Sequence, residues 1–429
     1  MAPRDAKKRT ANQRGLADAS SIDIGGLPRK TATTELLPSV SRSAFADVID
    51  NRVRFRNILL AGNPYGAFLL EEAGFRASGA AEPADAPSFD LVRSGERALE
   101  ILERGEHDML LADHILPDLT GSELVAKARA RHPELAAAVV TANTDLGGPR
   151  QQTTDSNLFI AYGAPSFWRA LVKLAEDERN AEALIDDGRA LAILLVEDEP
   201  NFYSHFLPML YERIRSSAIE LLPPERRPRS IWSISDNRPL VLLRRTFEDA
   251  ANTLVRHQSG VMALITDLRF PVSGEPADDA GLRLLYRARS LMRHLPVVVA
   301  SRERHHRDAV MAADAKFLWK DSPRLLSELD SFLTSFCGFG PFVFRWPAGE
   351  RYGVARTLRD LYDLMADVPD VVFEHHALHS DFSTWLAVHG YPRLARRARD
   401  MRITEPYLRD RMLEMFREAL TAQEADGLL

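Results

Sequence analysis

The residues best suited to chemistry in this 429-residue sequence are acidic, hydroxyl and amine side chains that end four apolar, strand-like runs. Glu197 and Asp198 follow the first run, Asp267 and Ser301 end two others, and Lys320 follows the last. Clustered carboxylates repel one another and can hold a hard divalent cation, most plausibly Mg²⁺, through their oxygens. With that cation bound, one carboxylate can attack a phosphoryl group, whose charge the cation and the ammonium then share. The set therefore indicates phosphoryl transfer onto a carboxylate.

These side chains meet only if their strands lie parallel in one sheet. Short apolar runs alternate here with amphipathic helical runs, which is typical of βαβ units and a doubly wound parallel sheet. In such a sheet ligands bind at the carboxyl ends of the strands. Strands are predicted at Leu191–Val196, Ser230–Ser235, Val261–Thr266, Pro296–Ala300 and Lys316–Trp319. A helix is predicted over Leu240–Gln258, after the second of these strands.

Residues 190–336 resemble the receiver domain of a two-component response regulator. The matching residues are Ile193–Pro200, Asp267 followed by Pro271, Ser301, and Lys320 preceded by Phe317. The resemblance implies that Asp267 is the phospho-acceptor and that Glu197 and Asp198 join it at a Mg²⁺ ion. Lys320 would be the salt-bridge partner of the phosphate.

The same resemblance implies a conformational switch. Ser301 would supply the hydroxyl that moves toward the phosphate, and Phe317 would be the aromatic residue that swings inward with it. Two features depart from the family pattern: additional residues around Leu221–Arg229 and a longer loop at 272–280. Asp321 also stands where receivers usually have proline, so the local turn is expected to differ.

An earlier part of the chain repeats this pattern but lacks its charges. Asp113 ends a strand-like run and Thr141 ends another, matching the acceptor and hydroxyl positions. Gly62 and Asn63 replace the acidic pair, and Tyr162 stands at the lysine position. Without those charges a cation loses two ligands and a phosphoryl group loses its second neutraliser. We therefore predict a pseudo-receiver in which Asp113 is a structural remnant and the domain makes protein contacts.

The expected fold class is α/β, with two doubly wound, five-stranded parallel-sheet domains of the flavodoxin-like receiver type followed by a mainly α-helical domain. The expected segments are a disordered tail at 1–42, the pseudo-receiver at 43–180, a linker at 181–189, the receiver at 190–337 and a helical domain at 338–429. The tail is rich in Ser, Thr, Ala, Arg and Pro and has no hydrophobic periodicity, as mobile segments do.

Composition excludes several classes of protein. The net charge of −6 disfavours nucleic acid as the main partner. The single cysteine, Cys337, excludes a disulfide framework and a multi-cysteine metal site. No apolar run approaches the ~18 residues of a membrane span, and no apolar segment follows the basic residues near the start. We expect a cytoplasmic protein that does not contact a membrane.

The C-terminal domain at 338–429 resembles an uncharacterised helical module that follows receivers with a similar first helix. That pair also occurs in proteins resembling phosphoenolpyruvate synthase or pyruvate phosphate dikinase. The residues that carry the resemblance are Asn201–Pro208, Gly338–Arg345, Val368–Asp370, His376 and Phe382–Leu386. The catalytic segments of the dikinase itself are not recognisable in this chain.

Three histidines in this module leave several interpretations open. His375 and His379 lie four residues apart with Asp381 nearby, a spacing that would suit zinc. His376 could instead be a phosphotransfer histidine. The plainest interpretation is that all three line a helix end beside core residues such as Trp385. A metal bound at these histidines would be the first support for an enzyme in this domain.

The leading interpretation is a response regulator of a phosphorelay without catalytic turnover of its own. Its partners would be a sensor histidine kinase or another phosphodonor, and possible targets include the other domains and a second copy in a homodimer. The alternative is a regulatory or scaffold subunit of a phosphoenolpyruvate-synthase-like enzyme. A DNA-binding regulator is less favoured, because acids are interspersed among the C-terminal arginines. Those arginines are Arg393, Arg396, Arg397, Arg399, Arg402, Arg409 and Arg411.

Overall fold

The structure is a computed structural model that describes residues 52–79, 86–147, 158–220, 232, 238–401 and 407–425. The expected tail at 1–42 lies outside these residues. No helix in the described ranges combines the length and the apolar composition needed to cross a membrane.

The first α/β domain is a parallel six-stranded sheet with helices between its strands. Its strands are β1 (Asn57–Ala61), β2 (Arg76–Ala77), β3 (Ser88–Val92), β4 (Met109–Asp113), β5 (Ala136–Thr141) and β6 (Leu158–Ile160). Its helices are α1 (Pro64–Glu72), α2 (Gly95–Leu102), α3 (Gly121–Arg131) and α4 (Pro165–Asp186). The strand order is β2-β3-β1-β4-β5-β6, so the short β2 extends the predicted five-stranded sheet at one edge.

The second α/β domain is a parallel five-stranded sheet. Its sheet strands are β7 (Ala192–Val196), β8 (Leu240–Arg244), β9 (Val261–Asp267), β12 (Val297–Ser301) and β13 (Lys316–Trp319), in the order β13-β12-β9-β7-β8. A separate antiparallel hairpin consists of β10 (Phe270–Val272) and β11 (Glu275–Ala277). The helices are α5 (Pro200–Glu220), α6 (Phe247–Arg256), α7 (Ala280–Leu291), α8 (Arg307–Ala312) and α9 (Leu325–Phe336).

The predicted helix over Leu240–Gln258 is wrong at its start. Leu240–Arg244 forms β8, which pairs with β7, and α6 begins only at Phe247. Thr246 sets the start of α6, because its side chain accepts from the Asp249 N–H and caps the helix. The strand predicted at 230–235 lies outside the described residues except for Trp232, which is in a turn.

A helical region completes the chain, with a small hairpin at its start. The hairpin strands are β14 (Phe342–Arg345) and β15 (Arg351–Ala355). The helices are α10 (Leu358–Asp367), α11 (Asp370–Leu378), α12 (Asp381–Val388), α13 (Pro392–Asp400) and α14 (Leu408–Ala425). Two doubly wound α/β domains followed by a mainly helical region confirm the predicted fold class.

Helices α4 and α5 pack against each other, and each covers the edge strand of the other domain's sheet. Helix α4 covers β8, and α5 covers β6. In α4, Asp177 accepts from the Val241 N–H at 2.9 Å and Glu178 accepts from the Leu243 N–H at 3.1 Å, both on β8. In α5, Ser204 Oγ accepts from the Ile160 N–H of β6 at 3.0 Å. Unpaired strand edges are open to aggregation unless covered. Helix α4 also runs through most of the expected linker at 181–189.

Candidate functional site

The second sheet brings its polar strand ends to one edge. Glu197 follows β7, Asp267 ends β9 and Ser301 ends β12. In the pairing register, Ala300 lies opposite Asp267 and Ser301 lies opposite Trp319, directly before Lys320. Parallel pairing thus places residues far apart in the chain at neighbouring positions. All of β7, β9 and β12 is buried, because helices cover both faces of these apolar strands.

Lys320 lies at the centre of the acidic group. Its Nζ is 2.8 Å from Glu197 Oε2 and 2.8 Å from Asp267 Oδ2. All three side chains are buried, and the Lys320 Nζ also lies 4.1 Å from the centre of the Phe202 ring. Removing one member of this buried group is costly, because the charges that remain would be buried without a partner.

The pKa shifts show how crowded these charges are. Burial raises the pKa of Glu197 well above its ordinary value, and Asp267 and Asp198 raise it further against the pull of Lys320. Burial and the charge of Asp267 raise the pKa of Asp198 to about 7. Burial alone would lower the pKa of Lys320, but its attraction to Asp267 and Glu197 raises the pKa overall. The site therefore holds more carboxyl groups than one ammonium can neutralise.

The acidic trio fits a hard divalent cation. Glu197, Asp198 and Asp267 each offer a carboxylate oxygen, and these oxygens lie within 4.8 Å of one another. Asp198 Oδ1 is buried and has no hydrogen-bond partner among the described residues. An oxygen in that condition is costly to bury, and a cation with oxygen ligands would satisfy it. The residues at this edge therefore suit Mg²⁺.

Of the two residues expected to act as a switch, Ser301 lies at this edge, and Phe317 lies two residues before the end of β12 in the pairing register. Ser301 is buried, and its Oγ accepts from the Glu303 N–H at 3.0 Å. Phe317 is half-buried on the outer strand β13, opposite Val299, and packs against the apolar core of the domain.

Sequence reasoning missed the residues that surround Lys320. Arg302 forms two bonds to Glu199, of 2.8 and 3.1 Å. The Arg302 guanidinium lies 4.8 Å from the Phe202 ring centre, so this ring contacts both cations. The position of Arg302 directly after Ser301 was the one available signal, while nothing local marked Phe202.

The corresponding edge of the first sheet uses neutral groups. Asp113 ends β4, and its Oδ2 accepts from the Asn63 backbone N–H at 3.0 Å and from Asn63 Nδ2 at 2.8 Å. Gly62 lies directly against this carboxylate, because a Cβ there would fall 2.7 Å from Asp113 Cγ and Oδ2. Burial raises the pKa of Asp113, and the Asn63 hydrogen bonds oppose that rise. Thr141 Oγ1 accepts from the Asn143 N–H at 3.1 Å, as Ser301 does from Glu303.

The prediction that Tyr162 stands at the lysine position is wrong by one residue. Ala161 follows Ile160, the partner of Thr141, just as Lys320 follows Trp319, the partner of Ser301.

Tyr162 lies one residue further on and contacts the second domain. Its hydroxyl donates to Asn201 Oδ1 at 2.7 Å, and its ring centre lies 3.8 Å from that of His205. Burial raises the pKa of the Tyr162 hydroxyl to about 12. Asn201 lies on α5, one residue before Phe202. The first domain therefore contacts the helix that carries the ring beneath Lys320.

The C-terminal histidines are accounted for by packing. His376 is buried, with Nε2 accepting from the Arg345 N–H at 2.8 Å and Nδ1 lying 2.7 Å from Asp381. Since Nε2 accepts, Nδ1 carries the proton that bonds Asp381, which leaves neither nitrogen open to phosphate or metal. Among the described residues, no group with metal-ligand spacing contains His375 or His379.

Several C-terminal arginines hold α13 and α14 in place. Arg396 and Arg399 each donate to a backbone carbonyl, of Asp187 and Ser259 respectively, at 2.6 Å. Arg397 pairs with Glu418 at 3.0 Å, and Arg409 pairs with Asp370 at 2.9 Å. These guanidiniums make contacts within the chain, so they give no support to a surface that binds the phosphate backbone of DNA. Arg402 lies outside the described residues.

No family model matches the chain, and no curated protein matches its sequence. Two solved chains described as two-component system response regulator/GGDEF domain proteins are 15% and 16% identical, with TM-scores of 0.27 and 0.29; each covers 66% of this chain and 99% of its own. NtrX from Brucella abortus is 10% identical with a TM-score of 0.25, covering 81% of this chain and 80% of its own. At such scores the likenesses do not by themselves support a function.

Proposed function

We propose that this chain is a response regulator whose second α/β domain accepts a phosphoryl group on Asp267 in the presence of Mg²⁺. One observation carries the proposal: a buried ammonium contacts Glu197 and Asp267 at 2.8 Å each, beside the unpaired buried oxygen of Asp198. Buried carboxyl groups in excess of their cation destabilise a fold, and groups perturbed in this way cluster at functional sites. A divalent cation would pair with the carboxylates, and a phosphoryl group on Asp267 would pair with the Lys320 ammonium.

The chemistry proposed is an in-line displacement at phosphorus. A carboxylate oxygen of Asp267 forms the new P–O bond as the P–N bond to a kinase phosphohistidine breaks, and the imidazole leaves with that electron pair. Held by Glu197, Asp198 and Asp267, Mg²⁺ would supply positive charge to the transferring oxygens. Lys320, freed from its contact with the Asp267 carboxylate, would pair with the new phosphate.

The output proposed is a shift between two conformers. Ser301 would exchange its bond from the Glu303 N–H for one to the phosphate, and Phe317 on the neighbouring strand would follow. The face built by α8, β13 and α9 exposes apolar side chains of Met311 (54%), Leu326 (37%) and Phe336 (49%). We propose that this face binds a protein partner or a second copy when Asp267 is phosphorylated.

The test is treatment of the full chain with a small phosphodonor and Mg²⁺, followed by mass mapping of the acyl-phosphate. We expect the label on Asp267, no label in Asp267→Asn, and wild-type labelling in the matched variant Asp113→Asn. Label on Asp113, or none on the wild type, would contradict the proposal. Capture of a phosphoenolpyruvate-synthase-like protein that survives Asp267→Ala would instead support a scaffold role.

A further inference from the structure

We propose that the loop after Ser301 carries a second metal site, for a transition-metal dication such as Zn²⁺, built from Glu303, His305 and His306. The site goes beyond the proposed function, because neither the acceptor nor the acidic trio contributes to it. Its three side chains follow β12 in a short 3₁₀ turn at Arg304–His306. They offer two imidazoles and one carboxylate, the donor set that zinc takes in many three-residue sites.

The distances suit one small ion. Glu303 Oε2 lies 3.3 Å from His306 Nε2 and 3.6 Å from His305 Nε2. The two imidazole centres are 3.9 Å apart, and one ligand atom from each of the three residues lies within 4.8 Å of the others. Zinc bonds of about 2.0–2.1 Å in a tetrahedron put ligand atoms about 3.3–3.4 Å apart. The observed spacing reaches that geometry with small side-chain rotations.

The backbone explains why these side chains meet. Glu303 is the N-cap of this turn, and the His306 N–H donates to the Glu303 carbonyl at 3.5 Å. This i to i+3 bond is the one that defines a 3₁₀ turn, and it brings the two residues together. His306 is half-buried while Glu303 and His305 are exposed. The site is therefore open to an ion from solvent and leaves a fourth position for water.

Neighbouring arginines are turned toward other partners. Arg302 makes its two bonds to Glu199, and the Arg304 guanidinium lies 3.5 Å from the centre of the Trp319 ring. Arg307 begins α8 with an exposed side chain. Its charge opposes a cation, so we expect affinity in the micromolar range for metals that favour imidazole, and no measurable binding of Mg²⁺ here.

The site is connected to the hydroxyl of Ser301. The Glu303 N–H that donates to Ser301 Oγ belongs to the residue whose carboxylate would bind the metal. A metal held by Glu303, His305 and His306 would restrain this backbone in the position seen in the structure. Any coupling to phosphorylation would be a consequence of the site and is not needed for its existence.

The test is calorimetric titration of the full chain with Zn²⁺ in saturating Mg²⁺, which occupies the acidic trio. We expect one zinc equivalent in the wild type and at least tenfold weaker binding in His305→Ala/His306→Ala. The matched control His375→Ala/His379→Ala removes two other neighbouring imidazoles and should bind as the wild type does. Asp267→Asn should still bind one equivalent of zinc. A failure of the zinc proposal can therefore be told apart from a failure of the proposal that Asp267 is phosphorylated.

A second readout identifies the ligands directly. The ring-proton NMR signals of His305 and His306 should shift or broaden on addition of zinc, while circular dichroism shows that each variant is folded. Absence of a zinc equivalent in the wild type would overturn the proposal. So would unchanged affinity in the His305→Ala/His306→Ala variant, or loss of affinity only in the control pair.

Discussion

The two α/β domains share a sheet topology, but they stabilise their strand-end carboxylates in opposite ways. In the second domain Asp267 lies among two further acids and is held by the Lys320 ammonium. In the first domain Asp113 is held by two neutral N–H donors of Asn63. The fold therefore does not require charge at this edge. Under the proposed function, the charges of the second domain serve a cation and a phosphoryl group, and the first domain has neutral donors in their place.

The first domain also packs against the second through residues other than its strand-end carboxylate. Ala161 takes the lysine position, and Tyr162 directly after it bonds Asn201 across the domain boundary. Helix α4 covers β8 and α5 covers β6, so each domain protects an edge of the other. None of these contacts involves Asp113. We infer that the first domain braces the helix on which Phe202 lies.

The largest difference is expected between changes at Lys320 and at Tyr162, the polar side chains that follow the last strand of each sheet. Lys320→Met leaves Glu197 and Asp267 buried without their cation, and we expect a loss of about 3–5 kcal/mol in the free energy of unfolding. Tyr162→Phe removes one hydrogen bond at a half-exposed site and should cost about 0.5–1.5 kcal/mol. Urea denaturation near pH 8 without Mg²⁺ measures both. Equal losses would show that the two edges do not differ in this way.

A smaller effect is expected from the glycine that lies against Asp113. In Gly62→Ala the new Cβ would fall 2.7 Å from the Asp113 carboxyl, and the overpacking should cost about 1–3 kcal/mol. Gly66→Ala is the matched control. Gly66 lies on α1, and a Cβ there would meet only Leu60 Cδ2, at an ordinary van der Waals distance of 3.5 Å. That variant should be neutral or more stable by up to about 1 kcal/mol. Destabilisation by Gly66→Ala instead would refute this account of Gly62.

The smallest effect is a pH dependence of stability that comes from the acidic edge of the second domain. The pKa of Asp198 is about 7 when folded, above its unfolded value, so the folded state binds more protons between roughly pH 4 and 7. Its contribution to stability is present below that window and is lost as the pH rises. Adding Mg²⁺ at pH 8 should restore stability.

The same titration should appear in Mg²⁺ binding. Because the ion needs ionised Asp198, affinity should rise about tenfold from pH 6 to pH 8. Calorimetric titration of the wild type and Asp198→Asn measures this, and the variant should lose most of the rise. A rise of the same size in Asp198→Asn would assign the titration to another group.

Local sequence patterns were enough to predict the class of fold and to predict that Glu197, Asp198 and Asp267 lie together at one edge of the sheet. Apolar runs such as Ile193–Val196 are buried strands, as predicted, because helices cover both faces of the sheet. The run at Leu240–Leu243 was misassigned to a helix, since a short apolar run fits either element until its pairing with β7 is known. Contacts that depend on the direction of a side chain, such as Phe202 under Lys320, had no local signal.

The sequence by itself determined which residues could share a strand end and which charges the first domain lacks, because parallel strands bring their carboxyl ends to one edge. Only the tertiary structure decided that Lys320 bridges Glu197 and Asp267, that Tyr162 contacts α5, and that His376 is fully bonded. These contacts join residues distant in the chain. Their geometry depends on how two sheets and the helices between them pack, which no local pattern of residues specifies.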